Sequence, residues 1–171
     1  MSALYDTGSK QKAAHRLAAQ DLSNSKYFEA MIKGPESLDR RLEAQNSFQV
    51  FCETYGSEVF GLEWSPAHLA LIEKMEFAAL ESASLACACP RGTGKSSLAT
   101  YAMLWATLCG HSRYGLYIAA TAGAATQRLQ NLKASLRFND LFLADFPEIC
   151  GPLRWCEGES RKAGGQKFHG S

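Results

Sequence analysis

The stretch CACPRGTGKSSLAT at 87–100 restricts what this chain can fold into more than any other. A short apolar run stops at Pro90, passes through a loop with Gly92 and Gly94, meets Lys95 and Ser96, and turns apolar again. The strict phosphate-loop signature is G-x-x-x-x-G-K-[ST], set between a strand and a helix. Gly94, Lys95 and Ser96 fit it, while Cys89 stands where the first glycine belongs. The flanking pattern supplies the context that the degraded signature needs.

SLACAC, bounded by the Pro and Gly loop, predicts a buried strand over 83–89. From Ser96 to Cys109 the chain is apolar on nearly every side, as in an enclosed helix, and Gly110 is a suitable stop. RYGLYIAAT predicts a second buried strand over 114–121, and GAATQRLQNLKASLRF a second helix. Strand, loop, helix, strand, helix is the start of an α/β fold: a P-loop NTPase-type parallel sheet, here incomplete, with a right-handed crossover joining the two strands. Ahead of it the sequence predicts an N-terminal helical extension, with helices over 8–33 and 38–55 separated by a break at GPES. A further helix begins near Pro66, with Leu69, Ile72, Met75 and Ala79 on its apolar face. The expected division is a helical arm at 1–55 and the front part of an ATPase domain at 56–171.

The chemistry of such a loop assigns roles to its residues. Backbone N–H groups of Gly92, Thr93, Gly94, Lys95 and Ser96 form a nest for phosphate oxygens, reinforced by the positive end of the following helix. The two glycines permit positive φ and close approach of the backbone to phosphate. Lys95 reaches the β- and γ-phosphates, the Ser96 hydroxyl binds Mg²⁺, and Ser97 adds a second hydroxyl. The expected ligands are ATP and Mg²⁺.

PRGTGKSS, preceded by LEWSPAHLALIEKME and followed by LYIAATAGAATQRL, resembles the N-terminal ATPase region of a bacteriophage terminase large subunit over about residues 48–171. That family drives viral DNA into a procapsid. Its phosphate loop commonly lacks the first glycine and carries an arginine where Arg91 stands, so the resemblance gives Arg91, with Lys95, a catalytic role at the γ-phosphate. It also implies adenine contacts from Trp64 and His68, with Phe60 nearby and His68 in place of the usual glutamine. The implied partners are double-stranded viral DNA, the terminase small subunit and the portal protein. Family members place the Mg²⁺-positioning and water-orienting acids at the end of a later apolar strand. Only LFLADFPEI, with Asp145 and Glu148, approaches that pattern, and it reads as helical. The chain is therefore expected to be the front part of such an ATPase, ending before its Walker B acids and nuclease domain, and to bind nucleotide without turning it over.

Composition narrows the alternatives. With 46% hydrophobic and 20% charged residues the chain is not of the disordered class, and its net charge of +1 gives no global attraction to nucleic acid or membranes. The N-terminal MSALYDTGSKQKAAHR lacks the apolar centre of a signal peptide, which points to the host cytoplasm. The six cysteines contain no C-x-x-C pair, so a zinc site fails on spacing, and they read as buried small apolar residues. Arg161, Lys162 and Lys167 read as a solvated basic tail, with contact to DNA phosphates as the other reading. A small-molecule kinase conflicts with the long stretch ahead of the loop. A helicase-like P-loop ATPase fragment remains an alternative, as does a non-catalytic truncated relic or regulator from a prophage.

An incomplete sheet should leave Met103, Leu104 and Trp105 short of partners, and contiguous apolar surface of that kind drives association. Sedimentation velocity on the purified chain is therefore expected to show concentration-dependent self-association, and a clean monomer at all concentrations would contradict it.

Overall fold

Side-chain oxygens start most of the helices. The computed structural model describes residues 31–155, Ser25 and Glu29 ahead of them, and the backbone of 160–163 and 166–169 after them. Ser37 accepts the Arg40 N–H and opens α1 (Leu38–Asn46), and Ser47 accepts the Val50 N–H and opens α2 (Phe48–Tyr55). Ser65 does the same for α3 (Pro66–Leu80), whose first turn holds Pro66. α4 (Lys95–Leu108) starts at Gly94 with no side-chain cap. Thr121 caps α5 (Ala122–Phe138), and Asn139 caps α6 (Asp140–Asp145) through the N–H groups of Leu141 and Phe142. α7 (Pro147–Trp155) follows, and then β1 (Ser160–Ala163) pairs antiparallel with β2 (Gln166–His169).

The single helix expected over 38–55 is two helices. Ser47 sits extended at φ −146°, ψ 121° between them, and there the Glu76 carboxylate accepts the Phe48 N–H at 2.9 Å. A carboxylate at a helix N-terminus favours that start, and the kink turns Phe48 and Phe51 inward. The helix expected over 8–33 lies outside the described residues except at 25, 29 and 31–33, which are helical.

The expected parallel sheet is overturned. Residues 83–89 and 114–121 form no strand, and the one sheet among the described residues is the antiparallel β1–β2 pair. Nor are the two segments buried. Leu116 and Ile118 are 67% and 82% exposed, and Leu85 and Cys87 also face solvent. Each is a short apolar run, and an apolar run makes a strand only where a neighbouring backbone supplies its N–H and C=O partners. Here the helices supply the burial instead. Every buried hydrophobic residue except Phe146 lies within a helix, and Phe146 is the residue joining α6 to α7. Residues 85–89 run beside Ala67, Ala70 and Leu71 of α3. The second segment crosses α4 at Gly115, where an added Cβ would come within 2.9 Å of the Met103 Cγ.

The core is largely aromatic. Tyr55 stacks on Phe142 at 4.9 Å and 12°, and Phe51 touches Tyr55, Tyr101 and Phe142. Such tilted and offset pairs add stabilisation beyond their area. Trp105, expected to lack a partner, is fully buried against Phe48 and His111 and donates its indole N–H to the Ala44 carbonyl at 2.9 Å. Leu104 is buried as well and Met103 half-buried, while Leu62, Ile118 and Tyr114 are among the large apolar residues left exposed. No helix among the described residues is long and apolar enough to cross a membrane.

Trp105→Ala removes the largest buried side chain and leaves the Ala44 carbonyl without its donor. Its expected cost is about 3–5 kcal/mol of unfolding free energy, measured as a lowered urea midpoint with little change in slope.

Candidate functional site

Two left-handed glycines shape the loop. Gly92 has φ +84° and Gly94 φ +68°, a region closed to most side chains, and nothing lies within 4 Å of where either Cβ would stand. Gly94 delivers the chain into α4 with its first N–H groups uncapped by any side chain. The positive end of a fourteen-residue helix is thereby presented at the loop.

The loop is held closed by its own atoms. The Pro90 carbonyl accepts two hydrogen bonds, from the Thr93 hydroxyl at 3.0 Å and from the Lys95 ammonium at 3.1 Å. On the other side the Thr93 carbonyl meets His68 Nε2 at 3.1 Å, while His68 Nδ1 meets the Ser65 hydroxyl at the same distance. A carbonyl only accepts, so Nε2 carries the proton, and in the neutral ring Nδ1 accepts from Ser65. His68 thus ties the start of α3 to the middle of the loop. Arg91 is exposed and makes no ion pair or hydrogen bond among the described residues. Ser96 and Ser97 are half-buried in the first turn of α4, where the Ser96 carbonyl accepts the Thr100 hydroxyl at 2.9 Å.

Beside the loop lies a cavity of about 200 Å³. One wall is Gly92, Thr93, Gly94 and Ser97, and the other is Phe60, Trp64 and His68. Trp64 lies between Phe60, at 5.3 Å, and the edge of His68, at 6.0 Å. The Glu53 carboxylate accepts the Trp64 indole N–H at 2.8 Å, which fixes the ring at the mouth. Phe60 is seated edge-on against Tyr101 at 5.0 Å. Gly56 makes this approach possible, since a Cβ there would come within 2.8 Å of Phe60, Tyr101 and the Cys52 carbonyl. The structure brings Trp64, His68 and the glycine loop together around this cavity. It adds Glu53, Gly56 and Tyr101, which sequence reasoning missed. WSPAH alone carries no signal for residues eleven positions earlier.

The two acids considered for catalysis have other work. Asp145 is wholly buried and its carboxylate is saturated. Oδ1 accepts from Arg40 Nη2 at 2.7 Å and the Ser37 N–H at 3.3 Å, and Oδ2 accepts from Arg40 Nε at 2.6 Å and the Tyr55 hydroxyl at 2.7 Å. Four donors leave that carboxylate no lone pair for a metal ion. Glu148 pairs with Arg41 at 2.6 Å. No group of three or more possible metal-binding side chains occurs among the described residues. Comparison of the chain with protein-family models, with curated proteins and with solved structures gave no match.

Burial pushes the Asp145 carboxyl upward, but the hydrogen bonds from Arg40 and Tyr55, the Arg40 charge and the Ser37 N–H outweigh it and hold it below its ordinary value. A depressed carboxylate contributes stability that is fully present above the unfolded value, about 3.9, and is lost as pH falls through the folded value. Arg40 keeps a third of its side chain in water. Asp145→Asn is therefore expected to cost about 2–3 kcal/mol at neutral pH, less than a fully buried pair would. Urea midpoints measured down an acid series should show the gap between variant and parent closing below the ordinary carboxylate range.

Proposed function

We propose that residues 90–97 bind the phosphates of a nucleoside triphosphate, in the manner of the nucleotide-binding region of a terminase-like DNA-packaging ATPase. The observation that carries this reading is the pair of left-handed glycines feeding an uncapped α4, with Lys95 beside them and an aromatic cavity adjoining. In this reading the N–H groups of 92–96 surround the β-phosphate, and Lys95 leaves the Pro90 carbonyl for the β- and γ-phosphate oxygens. Arg91, unpaired and exposed, neutralises the γ-phosphate. The cavity is smaller than the ~300–1,000 Å³ of whole-ligand pockets, so it takes the base alone, against Trp64 and His68.

Mg²⁺ fits only as part of the nucleotide complex. Such ions keep several waters and rest on substrate phosphates with one or two protein oxygens. The Ser96 hydroxyl is the oxygen this chain offers, and Asp145 is committed elsewhere. Binding without turnover is the expectation of this reading, because Asp145 and Glu148 are held by Arg40, Tyr55 and Arg41. Double-stranded DNA, a small subunit and a portal protein belong to the same reading as partners, and the host cytoplasm as location.

Calorimetry with Mg·ATP and Mg·ADP, alongside a phosphate-release assay and Trp64 fluorescence, tests it. Weak binding with quenched emission and no phosphate release is the expected result. Lys95→Ala should remove measurable binding, since losing a charged hydrogen bond worth about 1.5–3 kcal/mol takes a weak site out of range. A folded chain that neither takes up heat nor changes emission with either nucleotide would refute the proposal.

A further inference from the structure

The cysteines ahead of the loop form a pair of a different kind from the buried residues the sequence implied. Cys87 is exposed and Cys89 half-buried, and their sulfurs lie 3.2 Å apart in a segment with no regular hydrogen bonding. The remaining described thiols are unlike them. Cys52 and Cys150 are fully buried and Cys109 half-buried, and burial pushes the Cys109 and Cys150 thiols up to about 12. Zinc would need further ligands, and no third candidate stands near the pair among the described residues. What two facing, accessible thiols can do without a third partner is bond to each other.

We propose that Cys87 and Cys89 are a reversible disulfide site, oxidised by low-molecular-weight disulfides such as oxidised glutathione. One thiolate attacks a glutathione sulfur, forming a mixed disulfide and releasing one reduced glutathione. The neighbouring thiol then loses its proton and attacks the mixed disulfide, closing the Cys87–Cys89 bond and releasing the second glutathione. The pair gives up two electrons and two protons, which the glutathione disulfide receives. The sulfurs close from 3.2 Å to about 2.05 Å, a movement that the irregular backbone of 84–89 accommodates without breaking a sheet. The hydrogen bond from Cys89, with some burial, raises the Cys87 thiol, while Lys95 and Lys74 draw it down. The net direction is upward, so the attacking thiolate is a minor form at neutral pH and the exchange quickens as pH rises. Closure also fixes the backbone next to Pro90, whose carbonyl holds Thr93 and Lys95.

The test needs no nucleotide and so stands or falls apart from the phosphate reading. The reduced full chain is incubated with oxidised glutathione, denatured, blocked with N-ethylmaleimide and digested with trypsin. Cleavage after Lys74 and Arg91 isolates residues 75–91, which hold Cys87 and Cys89 and no other cysteine. The expected product is this peptide lighter by two hydrogens and free of maleimide. Cys52 and Cys150 should remain alkylated, reacting at least about tenfold more slowly as buried thiols. Dithiothreitol should restore two maleimide sites. In Cys89→Ser the same peptide should carry one glutathione on Cys87, in place of its thiol hydrogen, and form no internal disulfide. A wild-type peptide with two maleimides, with glutathione but no closure, or cross-linked to another cysteine would overturn the proposal.

Discussion

The Asp145 carboxylate is the fixed point of this fold. It collects four donors from three places: the start of α1, the guanidinium of Arg40 and the hydroxyl of Tyr55 at the end of α2. These partners lie 90 to 108 positions away in sequence. A buried carboxylate is tolerable only when its lone pairs are filled, so α6 can end where it does only if α1 and α2 are in place. Arg41 adds to the same junction, reaching the Asp145 carbonyl and Glu148 while its guanidinium covers the Phe146 ring at 4.6 Å. Tyr55 has two parts in this, since its ring stacks on Phe142 while its hydroxyl meets the acid.

The loop and its cavity hang from the same end of α2. α2 carries Glu53, which holds Trp64, and ends at Gly56, which admits Phe60 and Tyr101. α4 carries Tyr101 and Trp105 into the aromatic core and starts at the loop itself. The clasp at Asp145 and the cavity at Trp64 thus share α2, a helix of only eight residues. Its short length and buried face make it stiff by packing instead of by hydrogen bonding along its axis.

Much of this was legible locally. Pro66 and its preceding serine mark the start of α3, and Gly94-Lys95-Ser96 marks the start of α4. Both glycines adopt the positive φ for which their positions called. The two strands expected at SLACAC and LYIAAT do not form, because these runs have the composition of a strand while pairing depends on what other backbone is at hand. Ser47 was read as an interior helical residue, although a serine ahead of FQVF is equally a cap. LFLADFPEI singles out Asp145 and Glu148 only as the nearest approach to a metal-positioning pattern. The partners of Asp145 are Arg40 and Tyr55, which no local pattern connects to it.

The Lys95 ammonium rests on a carbonyl, and that choice of partner sets the character of the loop. A carboxylate in the same place would have cancelled the charge and made any arriving anion compete with a full negative neighbour. The Pro90 oxygen only orients the charge and leaves its field intact. An anion reaching the loop therefore exchanges a dipole for an ion, a trade whose gain fades as mobile salt screens it. Ionic strength is therefore a variable to which an anion at this corner of the molecule would respond.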